Sequence, residues 1–429
     1  MSRILIDGRF VGVGDSMTRY ILEILPRLLQ IDRENEYTLL LRPQGVETAK
    51  KFFASSQQQN SQMLAPNLQL ETLDVPHYSI SEQTKLLNYL NEKKFDLVHF
   101  IQFNHPVRYR GKYVVTIHDL TLMKHAYGIG VIKKLGFRAI MKSAVQNSAK
   151  IITVSNYSKK EIADYYNINP EKIAVTYLAV DEKYNSNIKN QISSQKGNLP
   201  LRGDIKKFKE KYQVNGDYIL YAGMWKKHKN LIRMLKAFEK VSAQLSVLSS
   251  QKKSDNGQQI SNNLQLVLVG KVDKEEFEVM KTIDEINSRV MKNESGIIKD
   301  HNFDQVKPIV TTGFIDNDEL PVAYAGALAY CIPSLSEGFG LPPLEAMACG
   351  TPVIASTATA IPEILADAPL YFDPLKISEI SKAMEQVILN SNLRELMIKK
   401  GLKQVKQYSW EDTAKKTLSI YKEVLRSEL

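Results

Sequence analysis

Two glutamates eight residues apart, Glu337 and Glu345, bracket a glycine-rich turn in the segment AYCIPSLSEGFGLPPLEAMACGTPVIAS, residues 329–356. The run before it reads as a buried strand ending near Pro333. A turn, Ser336-Glu337-Gly338-Phe339-Gly340, follows, and Pro342 and Pro343 then open a helix. Proline is favoured in a first helical turn because the N–H it lacks would have been unpaired there anyway. Gly338 and Gly340 let the backbone approach a ligand closely. The N–H groups and dipole of the helix start form a ready anion site, for which a diphosphate is the natural occupant. A carboxylate would repel that diphosphate, so the glutamates are expected to accept hydrogen bonds from sugar hydroxyls. Taken singly, Glu345 reads as a complement to the helix dipole and Glu337 as an ordinary turn residue. The whole block, with its glycines and prolines in place, points to a ligand site.

A second segment with the same plan runs from Tyr221 to Leu231. It begins as a strand, turns at Gly223 and enters a helix near Asn230, and Lys229 at that point offers a charge to neutralise a diphosphate. Taken alone, a basic run such as Lys226–Lys229 is usually a solvated loop. In the first half of the chain, Val114–Leu120 reads as a buried strand with a His-Asp pair, His118 and Asp119, just past its end. A structural histidine and a catalytic one are equally compatible with that position. Gly8, Gly12 and Gly14 follow the first strand without the G-x-G-x-x-G spacing of a dinucleotide site, so their expected use is close approach of backbone to donor or acceptor. Between Asp119 and Glu161 there are eight Lys or Arg and no acidic residue. Lys134, Arg138 and Lys142, with Lys133 beside them, form a basic stripe at helical spacing. A helix on an anionic bilayer would look this way, and so would a solvated basic face.

These residues need a scaffold that brings strand ends together. Short apolar runs alternate with helical patterns, the mark of βαβ units and parallel sheets. Strands are expected at Ile4–Ile6, Tyr37–Leu41, Leu97–Phe100, Tyr113–Ile117, Ile151–Val154 and Ile173–Val175. A second series is expected at Tyr218–Ala222, Leu264–Val269, Ile309–Thr312, Ala329–Ile332 and Val353–Ala355. Helices are expected at Met17–Leu29 and Trp410–Leu425. The polar stretch from Asn185 to about Gly203 reads as a linker, and two others, Leu248–Asn263 and Asn287–Asp304, as surface insertions. The organisation is thus an α/β chain with two doubly wound domains, 1–185 and 209–409, a linker at 186–208 and a terminal helix in 410–429. Ligands in such sheets bind at the carboxyl ends of the strands, here in a cleft between the domains.

Composition narrows the partners. The chain has 429 residues, 43% of them hydrophobic and 24% charged, a soluble globular balance that suits two large domains. No apolar run approaches the ~18 residues of a membrane span. MSRILIDGRF enters a strand directly and does not read as a signal peptide. With only Cys331 and Cys349, a reducing, cytoplasmic setting is expected, without disulfides or a thiolate metal cluster. The net charge of +10 favours anionic partners. Nucleic acid ranks below phosphorylated small molecules and acidic membrane, because zinc-ligand spacing and RNA-binding aromatic signatures are missing.

Taken in order, SEGFGLPPLEAMACGTPVIAS, TIHDL, IITVSNYSKKEI, PEKIAVTYLAVDEKY, GMWKKHKNL, TGFIDNDEL and the closing YSWEDTAKKTLSIY resemble the retaining glycosyltransferases of family 4 over nearly the whole chain. The resemblance implies the GT-B fold, two Rossmann-like domains, the first for the acceptor and the second for the nucleotide-sugar donor, with the last helix crossing back onto the first. It implies that Glu337 contacts the donor sugar hydroxyls and Glu345 the nucleotide ribose. Gly338, Phe339, Gly340 and Leu341 would hold the diphosphate with Lys229 beside them, and Gly14, Gly223 and Asn230 would line the donor. Phe314 and Ile315 would sit by the base, and His118 would face the sugar near the acceptor. No metal or cofactor is expected. Mannosyltransferases of bacterial surface polysaccharides share the TIHDL and HKNL pattern, which suggests GDP-mannose as donor, UDP-hexoses next, and a glycan or lipid-linked acceptor at the inner face of the cell membrane. Met224 and His228 stand where many relatives carry arginine, and the loop after Gly14 is longer than in many of them. The alternatives are a catalytically inactive scaffold of the same fold and a nucleotide-sugar epimerase. A phosphorylase is disfavoured, since nothing resembles a pyridoxal-bearing lysine context.

Overall fold

The computed structural model describes residues 1–13, 15–56, 66–124, 130–184, 200–251, 264–271, 277–295 and 307–427. The chain divides into two compact units, Met1–Leu178 with Tyr408–Leu429, and Ala179–Gln407. Gly14, expected to line the donor, lies outside the described residues.

The first unit is built on seven parallel strands: β1 (Arg3–Asp7), β2 (Glu36–Leu41), β3 (Leu68–Thr72), β4 (Leu97–Phe100), β5 (Tyr113–Thr116), β6 (Lys150–Thr153) and β7 (Ile173–Val175). Their order is β3-β2-β1-β4-β5-β6-β7. The second unit holds β8 (Tyr218–Ala222), β9 (Gln265–Val269), β10 (Ile309–Gly313), β11 (Ala329–Ile332), β12 (Val353–Ser356) and β13 (Leu370–Phe372), in the order β10-β9-β8-β11-β12-β13. Every strand pairing among the described residues is parallel. Parallel strands need covered faces and so read as unbroken apolar runs. Residues 218–222 (YILYA) and 113–116 (YVVT) are accordingly buried throughout. In both sheets the order reverses direction beside the first strand, between β1 and β4 and between β8 and β11. The loops leaving those neighbouring strands diverge and open a crevice at the carboxyl edge.

Two strands were not expected from sequence, β3 and β13. Both are sheet edges, and β3 carries only one fully buried residue. β3 alternates in type, as Leu68-Gln69-Leu70-Glu71, and β13 is a run of only three residues, Leu370–Phe372. The polar run that reads as a linker also ends earlier than expected. Pro200–Lys211 is a helix, and Phe208 on it is 3% exposed and rests 6.3 Å from the Tyr218 ring. One buried aromatic side chain in a lysine-rich stretch thus docks it on β8. The stretches expected as surface insertions likewise begin as helix, to Gln251 in one case and to Ser295 in the other.

The last helix, Trp410–Arg426, starts at Ser409, whose hydroxyl accepts from the Asp412 N–H at 3.2 Å. It packs on the first helix, Asp15–Ile31. Arg27 meets Glu411 at 2.7 Å, Lys150 meets Glu423 at 2.9 Å, and the Thr413 hydroxyl donates to the Tyr177 carbonyl. This places the last helix in the first unit, as the resemblance implies. Within the same unit, Arg9 is fully buried. Its guanidinium bonds Asp7 at 2.7 Å and Glu82 at 2.8 Å, and Glu82 also accepts from the Asn104 amide at 2.7 Å. Both buried cysteines are free.

Two histidines in the first unit, His99 and His105, are each 1% exposed. Burial disfavours the imidazolium and pushes their pKa values down to about 3 and about 4 from an ordinary 6.5. Above pH 6.5 both are neutral folded or unfolded and add no pH dependence. As the pH falls below 6.5, the unfolded chain takes up protons that the folded one refuses, so stability falls. Denaturant unfolding at pH 5 is therefore expected to show a loss on the order of 2 kcal/mol per buried histidine relative to pH 7.5. Equal stability at the two pH values would contradict it.

Candidate active site

The loops that leave β8 and β11 are neighbours at the strand-order reversal of the second unit. They are stitched together by hydrogen bonds of their own. The Leu335 N–H donates to the His228 carbonyl at 2.7 Å, and the Asn230 side-chain amide donates to the Pro333 carbonyl at 3.0 Å and to the Pro374 carbonyl at 2.7 Å. Asn230 ends the short turn Lys227–Lys229 in a left-handed conformation, φ 61°. Asparagine tolerates this better than most residues. The turn thereby points Lys229 across to the second loop, where its ammonium meets Glu337 Oε1 at 2.7 Å.

Glu337 is held from three directions. The Ser334 hydroxyl donates to the same Oε1 at 2.6 Å. The Glu337 N–H donates to the Thr359 hydroxyl at 2.9 Å, and that hydroxyl donates back to the Glu337 carbonyl at 3.0 Å. Thr359 sits at φ 53°, a strained region for a β-branched residue. Both side-chain bonds of Glu337 converge on Oε1, which leaves Oε2 as an acceptor for a ligand hydroxyl.

Gly340 follows at φ 89° and caps the helix Leu341–Ala348. A side chain there would be strained, so glycine fits this entry to the helix. Pro342 and Pro343 occupy the next positions. They remove two of the helix start's N–H donors, and the Leu344 N–H closes the first helical turn on the Gly340 carbonyl, so an anion at this end meets the loop before the helix, up to Leu341. Glu345 lies one turn further along, 2% exposed, accepting from the Tyr324 hydroxyl at 3.2 Å.

The remaining strand ends of this sheet are tied in sequence. The Gly223 N–H donates to the Val269 carbonyl at 3.1 Å, and the Gly270 N–H to the Gly313 carbonyl at 2.8 Å. A Cβ on Gly270 would lie 2.0 Å from the Gly223 carbonyl oxygen, so this close approach excludes any other residue. Phe314 and Ile315 come next after β10, the first 63% exposed and the second buried. Met224 stands 51% exposed where a charge was expected from the resemblance. The structure thus brings Lys229, Asn230, Glu337 and the glycine turn into one cluster, with Gly223, Phe314, Ile315 and Glu345 on the same unit.

Ser334, Thr359 and Tyr324 also belong to this arrangement, although nothing in the sequence singled them out. Ser334 lies three residues before Glu337 and was within reach of a local reading. Thr359 and Tyr324 act on glutamates some twenty residues away in sequence, with no motif linking them. Trp225 is a further omission. It is 1% exposed and its indole N–H is buried without a partner.

In the first unit, His118 follows β5 and is half-buried. Its Nε2 lies 3.2 Å from the Ile101 carbonyl. A carbonyl only accepts, so Nε2 carries the hydrogen and Nδ1 is an acceptor. Burial holds the imidazole pKa below its ordinary value, against the pull of Asp119 and the Ile101 carbonyl, which favours the neutral ring. Asp119 itself accepts from the Thr121 N–H at 2.7 Å.

The basic helix is Val131–Asn147. Lys133, Arg138 and Lys142 are exposed, while Lys134 is half-buried, so the expected stripe is only partly on the solvent face. Val131, Ile132 and Leu135 share exposure, at 74%, 89% and 58%. No helix among the described residues is long and apolar enough to cross a membrane.

A family model described as "Glycosyltransferase Family 4" matches residues 19–184, and one described as "Glycosyl transferases group 1" matches residues 204–404. The chain is 26% identical over 414 residues to O-antigen chain mannosyltransferase B of Escherichia coli, covering 96% of each protein. Its fold is shared with Anabaena Alr3699/HepE, crystallised with UDP-glucose, at a TM-score of 0.67 and 16% identity, over 99% of this chain and 100% of that one. The same holds for WaaG, a glycosyltransferase of lipopolysaccharide biosynthesis, at a TM-score of 0.64 and 14% identity, over 97% of this chain and 99% of that one.

Proposed function

This chain belongs to the family 4 glycosyltransferases, and from that premise we propose that it transfers mannose from GDP-mannose, with retention, to a glycan or lipid-linked glycan. Two findings support the reading, the Lys229–Glu337 pair at the glycine-capped helix and the likeness to an O-antigen mannosyltransferase. The pair is the observation that carries it. An ammonium has three hydrogens; one binds Glu337, and the others face a diphosphate whose charge grows as the sugar leaves. Glu337 Oε2 accepts from a sugar hydroxyl, Glu345 from the ribose, and the backbone from Gly338 to Leu341 donates to phosphate oxygens.

In the transfer the bond from the anomeric carbon to the β-phosphate oxygen breaks. The acceptor oxygen bonds to that carbon on the same face, and its proton goes to the departing phosphate. Lys229 and the helix start stabilise the developing charge, so the step calls for no metal or cofactor. His118 accepts from a hydroxyl of the reacting sugars through Nδ1.

The test is release of nucleoside diphosphate from a panel of nucleotide sugars. Slow hydrolysis of GDP-mannose is expected from the wild type, with a fall of about 10²–10³-fold in Lys229→Ala and a comparable loss in Glu337→Ala. Release from a UDP-hexose would reassign the donor. Donor binding with no release, even with crude glycolipid added, would favour the inactive scaffold.

The exposed Val131, Ile132 and Leu135 beside Arg138 and Lys142 support a peripheral contact with an anionic membrane on its cytoplasmic face. Apolar side chains enter the interface while the bases meet acidic headgroups. The wild type is expected to float with vesicles containing acidic lipid, and Arg138→Glu/Lys142→Glu to remain unbound. Equal flotation with neutral vesicles would contradict this.

A further inference from the structure

A buried chain of polar side chains runs through the first unit from the C-terminal helix toward His118. Tyr421, on that helix, lies with its hydroxyl 2.6 Å from His99 Nδ1. His99 Nε2 is 2.8 Å from the Thr116 hydroxyl, and Thr116 is 3.4 Å from the hydroxyl of Tyr20. Tyr20, on the first helix, sets its ring at 86° to the imidazole of His118, with centroids 5.2 Å apart. Tyr20, His99, Thr116 and Tyr421 are each no more than 1% exposed. The links join residues as far apart in sequence as 99 and 421, and nothing in the site described above uses them.

We propose that Tyr20 is a positioning residue for His118, and that the C-terminal helix fixes its placement through the Tyr421–His99–Thr116 chain. The inference rests on the reading that His118 acts in the transfer. His118 has one ring nitrogen tied, Nε2 to the Ile101 carbonyl. A single hydrogen bond leaves the ring free to swing about that contact, and an edge-on aromatic neighbour removes the freedom. Tyr20 can do so only if it is fixed. Its hydroxyl anchors on Thr116, which belongs to β5, the strand that delivers His118. Its ring also rests 6.4 Å from Trp410, at the start of the C-terminal helix. The chain is suited to a static role. Burial keeps His99 neutral, with a pKa of about 3, and pushes Tyr20 up to about 12, so neither group changes charge at working pH. Buried hydrogen-bonded networks of this kind hold one arrangement.

Two measurements test it. The first is GDP release from GDP-mannose by the full chain, in a cycle of Tyr20→Leu with His118→Ala. Tyr20→Leu is expected to slow the wild type by about tenfold, as a misplaced catalytic group does. In the His118→Ala background it should add less than about twofold, because the group it positions is gone. The same factor in both backgrounds, or no loss in Tyr20→Leu, overturns the inference. A wild-type rate in His118→Ala instead strikes down the role of His118. The second measurement does not depend on turnover. In protein labelled with ¹⁵N at its seven histidines, Tyr421→Phe, an isosteric change remote from His118, is expected to move the ring nitrogen signals of both His99 and His118. Movement of His99 alone overturns the link.

Discussion

A lysine ammonium and a glutamate carboxylate held 2.7 Å apart organise the second unit's carboxyl edge. Their side chains are 20% and 14% exposed, so the pair is largely withdrawn from water. Removing either partner would strand a partly buried charge, a cost far above that of breaking an exposed ion pair. The surrounding structure serves to keep the two loops in contact. Asn230 bridges two carbonyls, Leu335 bonds His228, Ser334 bonds the carboxylate, and Thr359 accepts strain to fix the backbone beneath it. The same pair suits a donor that is anionic at one end and hydroxylated at the other. Under the proposed function the ammonium would serve the diphosphate, and the carboxylate, already oriented, the sugar.

The first unit solves a different problem. Its candidate residue, His118, is a neutral ring with one nitrogen committed to a backbone carbonyl, so its usefulness depends on orientation rather than charge. The frame around it is correspondingly stiff. A fully buried arginine clamps the loop after β1 to Glu82. The terminal helix returns to this unit and bonds into its sheet through Tyr421. A helix at the end of the chain thus becomes part of the support for residues that follow the central strands.

What the sequence disclosed follows the range over which each feature is determined. The E-x7-E block, the glycine turn and the proline start are set by neighbours within a few residues, and they read directly. The central strands read as apolar runs because parallel sheets bury both faces. The edge strands β3 and β13 went unread, although Leu68-Gln69-Leu70-Glu71 alternates and Leu370–Phe372 is apolar. The helix from Pro200 escaped because one phenylalanine, Phe208, docks an otherwise lysine-rich segment. The partners of the site were the least legible. Thr359 reaches Glu337, Tyr324 reaches Glu345, and Tyr421 reaches His99 only because the fold brings distant strands and helices together. Met224 is exposed at the place where the resemblance implies arginine, so under the proposed function more of the diphosphate's charge would fall on Lys229.

That dependence on Lys229 can be measured by titrating GDP calorimetrically into the wild type, Lys229→Met and Glu337→Gln. If the ammonium is shared between Glu337 and the diphosphate, GDP affinity falls about tenfold or more in Lys229→Met, equivalent to about 1.4 kcal/mol. In Glu337→Gln it is unchanged or tighter, because the lysine is released to the phosphate. Equal affinity in all three proteins would mean that the pair does not lie at the donor diphosphate, and would contradict the account.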